Sequence, residues 1–135
     1  MSDYPQMAAV RGRIEPSPRR VRGFLGQELV FDTTAARYVW EVPYYPQYYI
    51  PLADVVPGVL RDDEHPQRVQ FGPSRIFSLV TGSETVGAAA RVFDAGDGPV
   101  AGLVRFERDA LTWFEEDEPI YGHPRNPYAL SLIHI

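Results

Sequence analysis

Between Arg20 and Asp32 the chain runs Arg-Val-Arg-Gly-Phe-Leu-Gly-Gln-Glu-Leu-Val-Phe-Asp, two apolar-rich stretches on either side of Gly26-Gln27. Glycine at the first central position suits a type II′ turn, so this stretch predicts a β-hairpin. Asp32-Thr33-Thr34 predicts a turn, because short polar side chains bond to nearby backbone. From Arg37 to Val42 the residues alternate. Tyr38, Trp40 and Val42 then share one strand face and Val39 and Glu41 the other, with the tryptophan face in the core. Prolines 43, 46 and 51 follow within nine residues. Pro donates no ladder hydrogen bond, which points to an edge strand, a bulge or an extended connection and away from a central strand.

Further on, 57–66 reads as a charged loop, 68–71 and 75–80 as short strands, and 81–83 as a turn. Residues 85–93 fit a strand or a short helix, the alanine-rich centre favouring helix and Val86, Val92 and Phe93 favouring sheet, and the strand is the expected form. A tight turn over 94–99 and a strong strand over 100–106 come next. Asp109 offers an N-cap for a short helix to about Asp117, with Phe106, Ala110 and Phe114 at four-residue spacing. The pattern as a whole predicts a mainly β fold of compact antiparallel sheets, with one short helix near 109–117. The expected organisation is a flexible N-terminus over 1–12, one domain over 13–129, and a tail over 130–135.

Composition strengthens the β reading. Eleven Gly and 13 Pro in 135 residues interrupt the chain too often for long helices. Hydrophobic residues at 44% and aromatics at 13% suffice for one core. There is no Cys, which excludes disulfides, thiolate metal sites and cysteine nucleophiles. No basic segment leads into an apolar run and no 18 successive apolar residues occur, so the expected location is cytoplasmic, without a membrane partner. All 13 basic residues are Arg, as in GC-rich bacterial coding. The net charge of −5 argues against nucleic-acid binding, although five arginines crowd residues 1–26 and six acids crowd 107–118.

Among candidate chemistries the densest signal is Tyr44, Tyr45, Tyr48 and Tyr49. Such rings can wall a pocket or stack on flat ligands; alternatively they brace an edge segment against the core. If the segment is extended, Tyr44 and Tyr48 face one way and Tyr45 and Tyr49 the other, so one pair lies away from the core. Glu115-Glu116-Asp117-Glu118 lacks the spacing of a cation loop and reads as a solvated face; no metal or cofactor is expected. His65, His123 and His134 form no zinc pattern. In His123-Pro124-Arg125 a titratable ring lies beside a guanidinium, a pair suited to an anion or a proton transfer. Lacking Lys, the chain has no P-loop, and no nucleophile elbow surrounds any serine.

The leading expectation is a non-catalytic domain that binds a small molecule in an aromatic groove. Trp40, Tyr44, Tyr45, Tyr48, Tyr49 and Trp113 would line it, with Arg22 and His123 as polar anchors. Two alternatives stand beside it. One is an enzyme for a small anionic or nucleotide-like substrate, with His123 as acid/base and Arg125 or Arg22 holding the anion. The other is a structural half that docks on a second domain.

The segments Ile-Glu-Pro-Ser-Pro-Arg-Arg-Val-Arg-Gly-Phe-Leu-Gly from Ile14, Leu-Val-Phe-Asp-Thr-Thr from Leu29, and Val-Trp-Glu-Val-Pro-Tyr-Tyr-Pro-Gln-Tyr-Tyr-Ile-Pro from Val39 resemble the bacterial domain-of-unknown-function family 427. Gly102-Leu-Val-Arg-Phe, Trp113-Phe-Glu-Glu-Asp-Glu and His123-Pro-Arg-Asn-Pro-Tyr continue the likeness, in the manner of the first half of actinobacterial tandem members. The resemblance implies a β-tent-like fold of two leaning sheets, a second domain of the same family as partner, and no established reaction. The family's Cys-Pro-Trp/Tyr-Lys-Gly segment has no counterpart between Asp63 and Arg75. Some schemes name the family nucleotidyltransferase-like, but Gly82-Ser83, Asp94 and Asp97 do not make the spacing that puts two magnesium carboxylates on one strand face. Leu130-Ser-Leu-Ile-His-Ile resembles translated adapter sequence and is expected to be foreign.

Overall fold

A computed structural model describes residues 13–42, 45–69, 72–94, 96 and 98–120, with backbone alone for 65–69 and 72. Two antiparallel sheets are built from strands β1 (Ile14–Pro16), β2 (Val21–Leu25), β3 (Glu28–Thr33), β4 (Arg37–Val42), β5 (Tyr45–Pro51), β6 (Leu60–Val69), β7 (Gly72–Val80), β8 (Thr85–Phe93), β9 (Leu103–Phe106), β10 (Thr112–Glu115) and β11 (Glu118–Ile120). The larger sheet has the order β1-β4-β5-β9-β8-β7-β6 and the smaller β11-β10-β2-β3. The mainly β antiparallel expectation holds.

The β2–β3 hairpin forms as predicted, and of its two central residues only Gly26 takes a positive φ, +61°. Its register shifts after Gly23, so that Gly23 opposes Phe31 while Phe24 opposes Leu29. The extra residue, Val30, lets consecutive Val30 and Phe31 both be fully buried. Gly23 is itself required here, because a Cβ would meet the Phe31 ring at 2.3 Å.

Four expectations from the sequence are corrected. The predicted helix over 109–117 is instead a short 3-10 turn at Arg108–Ala110, then β10, a turn at Glu116-Asp117, and β11. Trp113 and Glu115 point inward while Thr112 and Phe114 point outward, a period of two that pairs with β2 and satisfies its backbone edge. The helical spacing of Phe106, Ala110 and Phe114 was coincidental to that pairing. Second, β5 is an interior strand, bonded to β4 and β9. Its prolines are tolerated because Pro46 lies where only β4 is a neighbour and Pro51 where only β9 is. Third, residues 60–66 belong to the long β6–β7 hairpin, with a register shift between Asp62 and His65 accommodating Glu64 at φ +58°. Fourth, Asp32 and Thr33 lie within β3. Buried Thr33 donates through Oγ1 to Asp54 Oδ2 at 2.6 Å and accepts from the Ala35 N–H.

The main core lies between the sheets. Tyr38 and Trp40 of β4, Tyr48 and Ile50 of β5, Val104 and Phe106 of β9 meet Val21, Leu25, Phe31 and Trp113 of the smaller sheet. Phe31 stacks on Phe106 at 5.2 Å and meets Trp113 edge-on at 5.3 Å. Each such ring contributes roughly 1.5–3 kcal/mol by leaving water. A second, smaller cluster of Val39, Tyr49, Phe93 and Val100 covers the other face of the larger sheet. The chain after β5 runs along β3, through the Phe31↔Val55 bridge and the Val56 N–H to Val30 carbonyl bond of 2.8 Å. That strap blunts the free edge of β3.

Candidate functional site

The aromatic residues singled out in the sequence go to three separate places. Trp40, Tyr48 and Trp113 are packed together between the sheets. Tyr49, one residue on, points to the opposite face, and Tyr45 is half exposed, at 51%. Tyr44, His123 and Arg125 lie outside the described residues. Arg22 stands on the outer face of the smaller sheet, because Val21, Gly23 and Leu25 alternate with it and face the core.

Consecutive tyrosines of β5 each end on a carboxylate. The Tyr48 hydroxyl donates to Glu115 Oε2 at 3.0 Å. Glu115 is 2% exposed, and Arg19 Nε stands 4.0 Å from its other oxygen. Burial, then the neighbouring Tyr38 and Glu115, push the Tyr48 hydroxyl well above its ordinary ionisation range. Burial works against the charge on Arg19, but the neighbouring Tyr38 hydroxyl oxygen and the charge of Glu115 leave its pKa raised. This inner constellation is roofed by both sheets.

On the far face, the Tyr49 hydroxyl donates to Glu41 Oε2 at 2.6 Å. Arg105 clasps the same carboxylate, through Nε to Oε2 and through Nη2 to Oε1 at 3.1 Å. The Tyr49 hydroxyl is also raised, first by burial and then by Glu41, with Arg105 and Arg91 opposing. Burial disfavours the charged Arg105, yet Glu41 raises its pKa overall.

The outer face of the smaller sheet carries an open concavity of about 330 Å³, lined by Arg22, Phe24, Gly26, Gln27, Thr112 and Phe114. Phe24 of β2 and Phe114 of β10 meet edge to face at 5.7 Å. The Arg22 guanidinium lies over both rings, 6.0 and 5.5 Å from their centroids. Nη2 of Arg22 donates to the Glu116 carbonyl at 2.9 Å and faces Asp117 Oδ1 at 3.6 Å, which fixes the head group while 22% of the side chain remains exposed. Beside it, Arg20 forks onto Asp32 at 2.9 and 2.6 Å, and that hydrogen bond holds the Asp32 carboxyl below its ordinary range.

Sequence reasoning found Arg22 but missed Phe24 and Phe114. The available signal was two-residue alternation: Phe24 follows Arg22 on the outward side of β2, and Phe114 joins them once 112–115 is read as a strand. Among the described residues no group of three or more His, Asp or Glu is placed to hold a metal, and no helix is long and apolar enough to cross a membrane.

A two-sheet antiparallel β domain with an aromatic and guanidinium-lined concavity on its smaller sheet is the class that these observations define. The profile of the family described as a domain of unknown function (DUF427) matches residues 13–113, and the chain belongs to that family. The match runs from the residue before β1 into β10. No curated protein matches the chain.

Proposed function

We propose that this domain binds a small molecule with a flat ring and an acidic group, on the outer face of its smaller sheet. The observation that carries the reading is Arg22 held over Phe24 and Phe114 at the edge of an open concavity. A volume of about 330 Å³ lies at the lower end of small-ligand sites, which are mostly apolar with a few placed polar groups. Two phenyl rings supply the flat apolar wall and Arg22 the planar fork that suits a carboxylate or phosphate. Gln27 and Thr112 add neutral hydrogen-bonding groups at the rim. The ligand is thus of the kind expected from the aromatic content of the sequence, but phenylalanines take the place assigned there to tyrosines. Two sheets leaning on one shared core support the β-tent reading of the fold.

The test is a thermal-shift panel of flat aromatic acids, from benzoate to adenosine monophosphate, on the full chain. At least one probe should raise the melting temperature of the wild type, and that rise should shrink in both Arg22→Gln and Phe114→Ala. Phe114 faces outward, so its truncation spares the core between the sheets. A panel that shifts nothing, or shifts wild type and both variants equally, would refute the assignment.

A further inference from the structure

Strand registers place four residues in one row across the outer face of the larger sheet, remote from the concavity above. Arg37 of β4 opposes Tyr49 of β5, Tyr49 opposes Arg105 of β9, and Arg105 opposes Arg91 of β8. Directly opposed residues of antiparallel strands share a face, and like charges in that relation are destabilising. Three guanidinium groups therefore lie along one rung that spans three strand spacings, about 14 Å.

The acids on this face do not absorb all three. Glu41 accepts from Tyr49 and from two nitrogens of Arg105, and exposed Glu107 takes Arg105 Nη1 at 3.3 Å. Both carboxylates thus converge on Arg105. Arg37 and Arg91 have no carboxylate partner among the described residues. Three guanidinium groups against two carboxylates leave a net positive row. Arg91 is half-buried rather than extended into solvent, and its charge, like that of Arg105, reaches the Tyr49 hydroxyl. Tyr49 is backed in turn by Phe93, stacked at 5.6 Å.

We infer that Arg91, beside the anchored Arg105, forms a binding site for a small oxyanion, a phosphate or a carboxylate. Arg91 supplies uncommitted fork donors, and its register directly opposite Arg105 sets up the like-charge repulsion that a bridging anion relieves. Glu41 acts as a positioning residue, holding Arg105 and Tyr49 in place. The inference is independent of the concavity on the smaller sheet and uses none of its residues.

The test is a titration of the full chain with inorganic phosphate and, separately, acetate, each against chloride at matched ionic strength. It is followed by NMR at the arginine Nε–Hε groups. Saturable shifts at Arg91 and Arg105 with phosphate or acetate, absent with chloride, are expected. Arg91→Gln should weaken that binding about tenfold or more, while Arg61→Gln, an exposed arginine on β6, leaves it unchanged. Whichever anion saturates identifies the source class. Equal responses to all three salts, or an Arg91→Gln protein that binds as the wild type does, overturn the inference, as does equal loss in Arg61→Gln.

Discussion

Tyr48 and Tyr49 show how far residue chemistry was legible. Alternation correctly sends them to opposite faces, but it does not follow that one of them lies away from a core. The larger sheet carries an apolar cluster on both sides at β5, against the smaller sheet on one and among Tyr49, Val39, Phe93 and Val100 on the other. Both phenols are buried, each paired with a glutamate. Glu115 carries the same lesson: it opens a run of four acids that reads as solvated, yet only its neighbours Glu116, Asp117 and Glu118 are exposed. Since the folded protein holds both hydroxyl pKa values above the ordinary 10.0, it binds their protons more tightly than the unfolded chain does. The resulting stability is fully present below pH 10 and is lost as pH rises above it. Urea midpoints across the alkaline range should fall more steeply for wild type than for Tyr49→Phe. Parallel slopes would mean that the Tyr49 hydroxyl is not protected by the fold.

At the scale of elements, strands with two-residue alternation or a clear hairpin turn were readable, as β2, β3 and β4 show. Failures arose where tertiary pairing decided the outcome. Residues 112–115 have side chains compatible with a helix, but the open edge of β2 recruits them as β10 and Trp113 fills the gap against Phe31. Charge and proline in 60–66 suggest a loop, whereas β7 offers a partner along its whole length. The β2–β3 hairpin shows the opposite case, in which one residue sets how an element packs. At Gly23 the Phe31 ring occupies the space a side chain would need, with atoms at 2.3, 2.8 and 2.9 Å from a Cβ. Gly23→Ala must displace a ring that stacks on Phe106 and abuts Trp113, and the expected cost is about 1–3 kcal/mol. Chemical denaturation measures it directly, and an unchanged midpoint would mean that Phe31 yields freely.

For the whole molecule, sheet pairing assembles the site proposed above. The helix expected at 109–117 would have left Phe114 without β2 beside it. As a strand, β10 brings Phe114 against Phe24 and under Arg22, and its turn supplies the Glu116 carbonyl and Asp117 that hold the guanidinium. The concavity proposed as the binding site joins residues more than 80 positions apart, while Tyr48 packs between the sheets and Tyr49 on the far face. Arg22 could be singled out from the sequence because it stands in a hairpin of clear pattern. Its aromatic partners were not, because one of them is brought by a strand that local propensity did not reveal. The most direct measurement is a backbone amide NMR titration of the full chain with the aromatic acid that most raises its melting temperature. The account predicts saturable shifts centred on Arg22, Phe24, Gln27, Thr112 and Phe114. Shifts that bypass these residues, or no saturable shifts at all, would contradict it.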